Sequence, residues 1–294
     1  MTGFGFWRRW ALIAPPFLWL AGFFLLPLGV VAAISLAQSA DAIPPYTPLF
    51  TQGPGGLQSH MALDNYRLIA GDLRAYANSL IYAAVATTLC LLVGYPIAFA
   101  IARAPRAWRN PLLFLVILPF WTSLLIRVYA WIAILQPTGL VNRALRALGL
   151  IDAPLLLINN NFSVVLGLVY AYLPFMILPL YGSLSQLDES LIEAGADLGA
   201  RPARVFCGIV LPLSLPGVAA GALLVFIPAI GEFVIPDLLG GPGTLMVGKV
   251  LWQEFFDNVD WPAAAAVAMV LVALLTVPLL VAQRLVERHG ASRP

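Results

Sequence analysis

The chain has 294 residues, 61% of them hydrophobic and only 10% charged, with a net charge of +2 and a mean hydropathy of +0.90. A soluble domain needs roughly 25% charged residues to cover its surface, so a water-soluble protein is excluded and a polytopic, all-α membrane protein is expected. Two cysteines, Cys90 and Cys207, are too few for a disulfide framework or a cysteine zinc site, and no basic stripe points to nucleic acid.

Six apolar runs, 11–37, 77–101, 111–135, 162–183, 208–232 and 262–283, are each long enough to cross a hydrocarbon core of about 30 Å as a helix. Together they make 1–294 a single transmembrane domain. With no water inside lipid to bond the backbone, these runs must be helical, and the prolines within them are of the kind buried membrane helices tolerate. The first run follows Arg8 and Arg9 but is about twice the length of a cleaved signal core, so it is read as an uncleaved first helix. Segment 38–76, rich in Pro, Gly, Gln and Asp, is expected to be a periplasmic loop that covers the outer mouth or meets a partner. A five-helix core then occupies 77–283.

Arginine supplies all basic residues but Lys249. With the N-terminus inside, the inner segments hold Arg8, Arg9, Arg103, Arg106, Arg109, Arg201, Arg204, Arg284, Arg288 and Arg293. The outer loops hold Arg67, Arg74, Arg143, Arg146 and Lys249, and Arg127 lies within a helix. The excess of inner positive charge places both termini, and segment 187–207, in the cytoplasm.

Within 187–207, Ser190 followed by Glu193 is a capping-box pattern, and Asp188 adds negative charge at the helix start. Leu187, Leu191, Ala194 and Leu198 share one face at helical spacing. Gly199 is placed to end the short helix, and Pro202 to open the next. An isolated loop of this kind can be no more than a capped interfacial helix without a partner.

Segment 193–212, EAGADLGARPARVFCGIVLP, carries a more specific pattern. It has Glu-Ala, a Gly at the third position, Gly after three more residues, and nine residues later Ile-x-Leu-Pro. It resembles the EAA loop of ABC-importer permeases, with Gly195 where the pattern has a third alanine. LPFWTSLLIRVYAWI (118–132), GLVYAYLPFMILPLYGSL (167–184), LPLSLPGVAAGALLVFIPAIGEFVIPDLLGG (211–241) and DWP (260–262) resemble the first permease subunit of spermidine/putrescine importers. The resemblance runs from about residue 10 to 285. It implies a type I ABC-importer permease fold, with Glu193, Ala194, Gly195, Gly199, Ile209, Leu211 and Pro212 coupling the pore to an ATPase that receives the short helix in a groove. It also implies a heterodimer with a second permease subunit, two ATP-binding subunits that use ATP and Mg, and a periplasmic binding protein. This chain would then be no enzyme and bind no cofactor or metal itself. Relatives of the same group import other small solutes, including opine-like compounds and amino-acid derivatives, so the solute stays open.

The last outer segment carries Glu232, Asp237, Glu254, Asp257 and Asp260 against Lys249. A carboxylate-lined mouth concentrates cations, although each acid can equally be a solvated loop residue. Glu232 ends an apolar run, where a charge is costly unless paired or wet. Either it pairs with Arg127, which a straight helix from Pro111 would bring to similar depth, or it takes the ammonium group of a substrate. Aromatic faces also hold alkyl-ammonium groups. Trp121 and Tyr172, near mid-depth, are therefore pathway candidates, while Tyr129 and Trp131 suit interfacial anchors. Gly217, Ala220, Gly221 and Ala222 suit close helix packing.

Rival readings find less support. The only histidines, His60 and His289, lie outside the apolar runs, and no HExxH or GxSxG occurs. An ion-coupled secondary transporter would bind its coupling ion at mid-membrane, where the apolar runs show no acidic residue. GTLMVGKV (243–250) has the spacing of a phosphate loop up to Lys249 but lacks the Ser or Thr for Mg²⁺.

Overall fold

A computed structural model describes the backbone of residues 4–53, 56–59, 61–68 and 71–290; His60 and Arg293 fall outside them. The chain divides into two compact units, Met1–Asp72 with Val250–Ala273, and Leu73–Lys249 with Leu274–Pro294.

In the first unit, α1 (Phe4–Ser35) carries Pro15, Pro16 and Pro27 within one helix. A strand pair follows, β1 (Phe50–Gly53) antiparallel to β2 (Gly56–Ser59), with Phe50 opposite Ser59. This small hairpin corrects the all-α expectation for the 38–76 loop. The short α2 (Asp64–Leu68) closes the end of α1. The last carbonyls of a helix lack partners within it, and here Asn65 Nδ2 donates to the carbonyls of Ser35 (2.9 Å) and Ala37 (2.8 Å). Tyr66 and Ser35 share a hydroxyl hydrogen bond of 2.7 Å.

The second unit is built on α3 (Leu73–Arg103). The expected third span does not continue as one helix. Instead α4 (Arg106–Ile117) runs into a 3-10 turn over Leu118–Trp121, and α5 (Leu124–Leu135) starts afresh. Pro119 has no N–H to continue the helix. Thr122 and Ser123 are extended (ψ 148° and 140°), and the Thr122 hydroxyl bonds back to the Pro119 carbonyl at 2.8 Å. The depth of Arg127 counted along a straight helix from Pro111 therefore does not hold. After α5 come α6 (Leu140–Ala147), α7 (Asn161–Leu184), α8 (Glu189–Asp197) and α9 (Pro202–Val205). A π-helical turn over Phe206–Val210 leads without a break into α10 (Leu211–Ile230), and α11 (Val234–Leu239) follows. Two further helices complete the chain, α12 (Val247–Trp252) and α13 (Trp261–Gly290).

The core of this unit is the packing of α3, α7 and α10. Cys90, Ala98, Met176, Ile177, Leu180 and Val225 are buried together. Gly217 and Gly221, one helical turn apart on α10, are buried against α7. A β-carbon would stand 2.6 Å from Ser183 Cβ at Gly217 and 2.8 Å from Met176 Sδ at Gly221. The glycines let two helices approach where lipid offers no hydrophobic drive. Ala220, grouped with them from sequence, is exposed instead.

Among the described residues, five segments are long and apolar enough, by length and composition, to cross a membrane: Ile13–Ser35, Leu73–Arg103, Leu124–Ala147 (α5 and α6 taken together across the turn at 136–139), Asn161–Leu184 and Pro202–Ile230. The expected sixth corresponds to α13, whose described apolar part, Trp261–Thr276, is shorter.

Candidate functional site

Two regions of the second unit carry the residues singled out from sequence, one at each end of α10. At the first residue of α10 lies the two-helix turn made by α8 and α9. Asp188, not Ser190, is its N-cap: the Asp188 carboxylate accepts the Ser190 N–H at 3.0 Å, and the helix begins at Glu189. The expected Ser190–Glu193 capping box does not form, because Ser190 already lies inside the first turn. The bond to the Ser190 backbone holds the Asp188 carboxyl below its ordinary range. Arg103 at the end of α3 reaches Glu189 at 3.9 Å.

At the other end of α8, Gly199 takes a positive φ of 78°, a conformation that glycine adopts without a side-chain penalty. The turn is closed by Gly199 N–H to the Ala196 carbonyl (2.8 Å) and Ala200 N–H to the Gly195 carbonyl (3.2 Å). Pro202 then opens α9 in its first turn. Gly195 is buried, and a β-carbon there would lie 2.9 Å from Ile209 Cδ1 and 3.4 Å from Val205. Glycine where the pattern has alanine thus lets α8 sit down on α9 and the π turn.

The apolar face expected over Leu187, Leu191, Ala194 and Leu198 is divided. Leu187, joined by Ile192, packs on the α3–α7–α10 core. Leu191 (46% exposed) and Leu198 (88%) face away from the chain, with Ala194 and Glu193 also exposed. Ile209 and Leu211 are half-buried and Pro212 is exposed.

At the far end of α10 stands Glu232. One carboxylate oxygen accepts the Val234 N–H at 3.0 Å, opening α11, and the other accepts the Tyr172 hydroxyl at 2.5 Å. Tyr172 is eleven residues beyond Asn161, roughly 17 Å along α7. Helical side chains lean back toward the N-terminus, so the carboxylate meets Tyr172 inside the span, not at its rim.

The segment from Gly231 to Lys249, which includes α11 and the start of α12, folds back beside the first turns of α7 and α3, and its backbone is bonded by side chains there. Ser163 Oγ (2.7 Å) and Asn159 N–H (3.0 Å) both donate to the Leu239 carbonyl. Asn78 Nδ2 donates to the carbonyls of Gly243 (3.2 Å) and Leu245 (3.0 Å), and Ser79 Oγ accepts from Val247 N–H at 2.8 Å. Gly241 lies against the Asn159 carbonyl and Gly248 against that of Gly231, with no room for a β-carbon at either. Lys249, the end of the phosphate-loop look-alike, pairs with Asp237 at 2.7 Å. That pairing neutralises one of the acids counted for the outer mouth.

Arg127 and Glu232 form no ion pair. The Arg127 guanidinium lies over Phe120 (5.1 Å) and Tyr170 (5.9 Å), with Nε and Nη1 buried and without a hydrogen bond. Of the two aromatic candidates, Tyr172 joins Glu232 and leads through Phe175 (6.1 Å) to Phe120 (a further 5.0 Å). Trp121 does not; it is 74% exposed and stands edge-on to Phe114. Asp257 and Asp260 belong to the first unit, where Asp257 is exposed and Asp260 accepts the Ala263 N–H (3.1 Å) at the start of α13.

Proline-interrupted spanning helices, a returning segment clamped by side chains, and a capped helical turn with an outward apolar stripe define the class: a multi-pass membrane protein. Residues 91–289 match the family described as binding-protein-dependent transport system inner membrane component. The chain belongs to that family and is a multi-pass protein of the bacterial inner membrane. It is 40% identical over 274 residues to the spermidine/putrescine transport system permease protein PotB of Haemophilus influenzae, covering 92% of each chain. To PotB of Escherichia coli K12 it is 39% identical over 265 residues, 90% of this chain and 92% of that one. Among solved structures it shares the fold of a chain of a bacterial alginate ABC transporter, with a TM-score of 0.68 at 17% identity over 96% and 94% of the two chains.

Proposed function

We propose that the chain is one of two permease subunits of an ATP-driven importer and forms half of the path by which putrescine or spermidine crosses the inner membrane. In this reading a periplasmic binding protein delivers the solute, and two separate ATP-binding subunits, using ATP and Mg, supply the energy. The observation that carries it is the arrangement about α10. A carboxylate within the span sits at one end, and an uncovered apolar stripe lies beside the other, roughly 30 Å away along twenty residues.

Polyamines are flexible alkyl chains ending in ammonium groups. Glu232 offers the counter-charge, and Tyr172 with Phe175 and Phe120 offers aromatic faces for the ammonium and its methylenes. Asp237, salt-bridged to Lys249, is secondary, and Trp121 has no contact that links it to Glu232.

The coupling turn faces the cytoplasm in this assignment. Leu191, Ala194 and Leu198 enter a groove of the ATPase, and Glu193 at its edge contributes charge. Gly195 and Ile209 pass a displacement of α8 to the π turn and so to α10. Leu211 and Pro212 fix where α10 begins, and Gly199 keeps the bend. Substrate and nucleotide act on one another only by favouring different states of this assembly.

The test is uptake of labelled putrescine by the complete complex in proteoliposomes. Transport should require ATP inside and persist when the proton gradient is collapsed; uptake driven by a proton gradient without ATP overturns the proposal.

A further inference from the structure

We propose that α6 lies in the headgroup layer of the bilayer and binds anionic phospholipid through Arg143 and Arg146. At about 100° per residue, the outward half of this helix runs from Arg146 and Arg143 on one edge to Leu140 and Leu148 on the other. Leu140 is 68% and Leu148 72% exposed, and the loop that follows adds Leu150 (66%) and Leu156 (78%). A helix with one basic and one leucine edge on its outward face is suited to the interface, apolar edge toward the acyl chains and cations toward phosphate.

The fold holds the element there. Four residues separate α6 from the end of α5, and Gly139 lies against the Ile134 carbonyl, so α6 must lie at the depth where α5 ends. On the inward side Asn142 is fully buried. Its carboxamide accepts from Leu155 N–H (2.8 Å) and donates to the carbonyls of Leu155 (3.0 Å) and Gln136 (3.2 Å). This fastens α6, the loop and the end of α5 together, so the leucine edge cannot rotate inward.

Two observations favour lipid over a protein. The exposed side of α5 runs the length of that helix through Leu125 (49%), Ile126 (66%), Tyr129 (58%) and Ala133 to the end from which α6 departs. The arginines also lack counter-charges: among the described residues neither pairs with a carboxylate. Arg143 Nε donates to the Thr138 carbonyl at 2.7 Å, which leaves its two terminal nitrogens for another acceptor such as a phosphate.

The test uses the whole complex in nanodiscs of phosphatidylcholine with or without phosphatidylglycerol. A Cys207→Ser background carries Leu148→Cys labelled with a small fluorophore. Phosphatidylcholine brominated in its acyl chains should quench the label. Phosphatidylglycerol should co-purify with the complex, and its retention should fall about fivefold for Arg143→Gln or Arg146→Gln and about thirtyfold for both. The quenching is read with the arginines intact and so does not depend on the double variant folding. Absence of quenching, retention of phosphatidylglycerol that ignores the arginines, or a label shielded only on addition of the binding protein would each overturn the proposal.

Discussion

The Glu232–Tyr172 contact allows the substrate site to be tested apart from the fold. Glu232→Gln keeps an acceptor for the Val234 N–H, so α11 stays capped, but removes the negative charge. A hydrogen bond to a charged group contributes about 1.5–3 kcal/mol, and a tenfold change corresponds to about 1.4 kcal/mol. Loss of the carboxylate should therefore raise the KM for putrescine uptake by roughly one to two orders of magnitude. Thermal stability of the purified complex should change little. Tyr172→Phe should act in the opposite sense on the carboxylate. It removes the donor at 2.5 Å and frees one oxygen for an ammonium group, so KM should hold or fall. Proteoliposome uptake across a range of putrescine concentrations, with ATP hydrolysis followed in parallel, separates the outcomes. Unchanged KM in Glu232→Gln would reduce the residue to a helix cap and refute the reasoning.

Other substitutions test the remaining joints. Gly195→Ala should be tolerated, because only the flexible end of Ile209 must move from 2.9 Å, whereas Gly195→Leu should lift α8 and leave ATP hydrolysis running with little uptake. Equal uptake in the two variants would show that α8 does not bear on the π turn. Gly217→Ala places a methyl group 2.9 Å from the Pro179 carbonyl and should cost about 1–3 kcal/mol of overpacking, seen as a lower melting temperature. Gly221→Ala, against the mobile thioether of Met176, should cost less. Asp188 is held below its ordinary pKa, so its contribution is present above about pH 3.9 and is lost as pH falls through the lower folded value. Hydrogen exchange in the first turn of α8, corrected for intrinsic rates, should stay constant down to that region. It should rise at neutral pH in Asp188→Ala but not in Asp188→Asn.

What could be read from the sequence was set by the range of each interaction. Spans are legible because lipid enforces a run of apolar residues whatever the neighbours are. The break after Ile117 was not, since a proline in an apolar run looks the same whether the helix bends or stops. Asp188 and Ser190 are both competent caps two residues apart, and only backbone geometry selects between them. Periodicity grouped Leu187 with Leu191 and Leu198 but could not say which would find a core, because that depends on where α3 and α10 lie. The Tyr172–Glu232 bond joins residues sixty positions apart, and no local pattern encodes it. The two roles open to Glu232 illustrate the limit: one of them pairs it with Arg127, whereas its partners are a tyrosine hydroxyl and a backbone amide.

The two ends of α10 differ in a way that bears on mechanism. Around Glu232 the backbone is clamped: Asn78, Ser79, Asn159 and Ser163 hold the returning segment, and glycines admit carbonyls where no side chain fits. Such a region resists small displacements, because each lost hydrogen bond leaves a polar group without its partner. At the other end α8 rests on α9 and the π turn through a glycine contact and presents two exposed leucines. Exposing a leucine instead of burying it forgoes about 1.5–3 kcal/mol, so Leu191 and Leu198 together reward a partner that covers them. In the coupling proposed above, a rigid carboxylate end and an adhesive, lightly seated end make one helix a lever, and force applied at α8 is carried along α10 to the place where Glu232 meets Tyr172. If that is so, a disulfide joining α8 to α9 should freeze uptake while leaving putrescine able to bind.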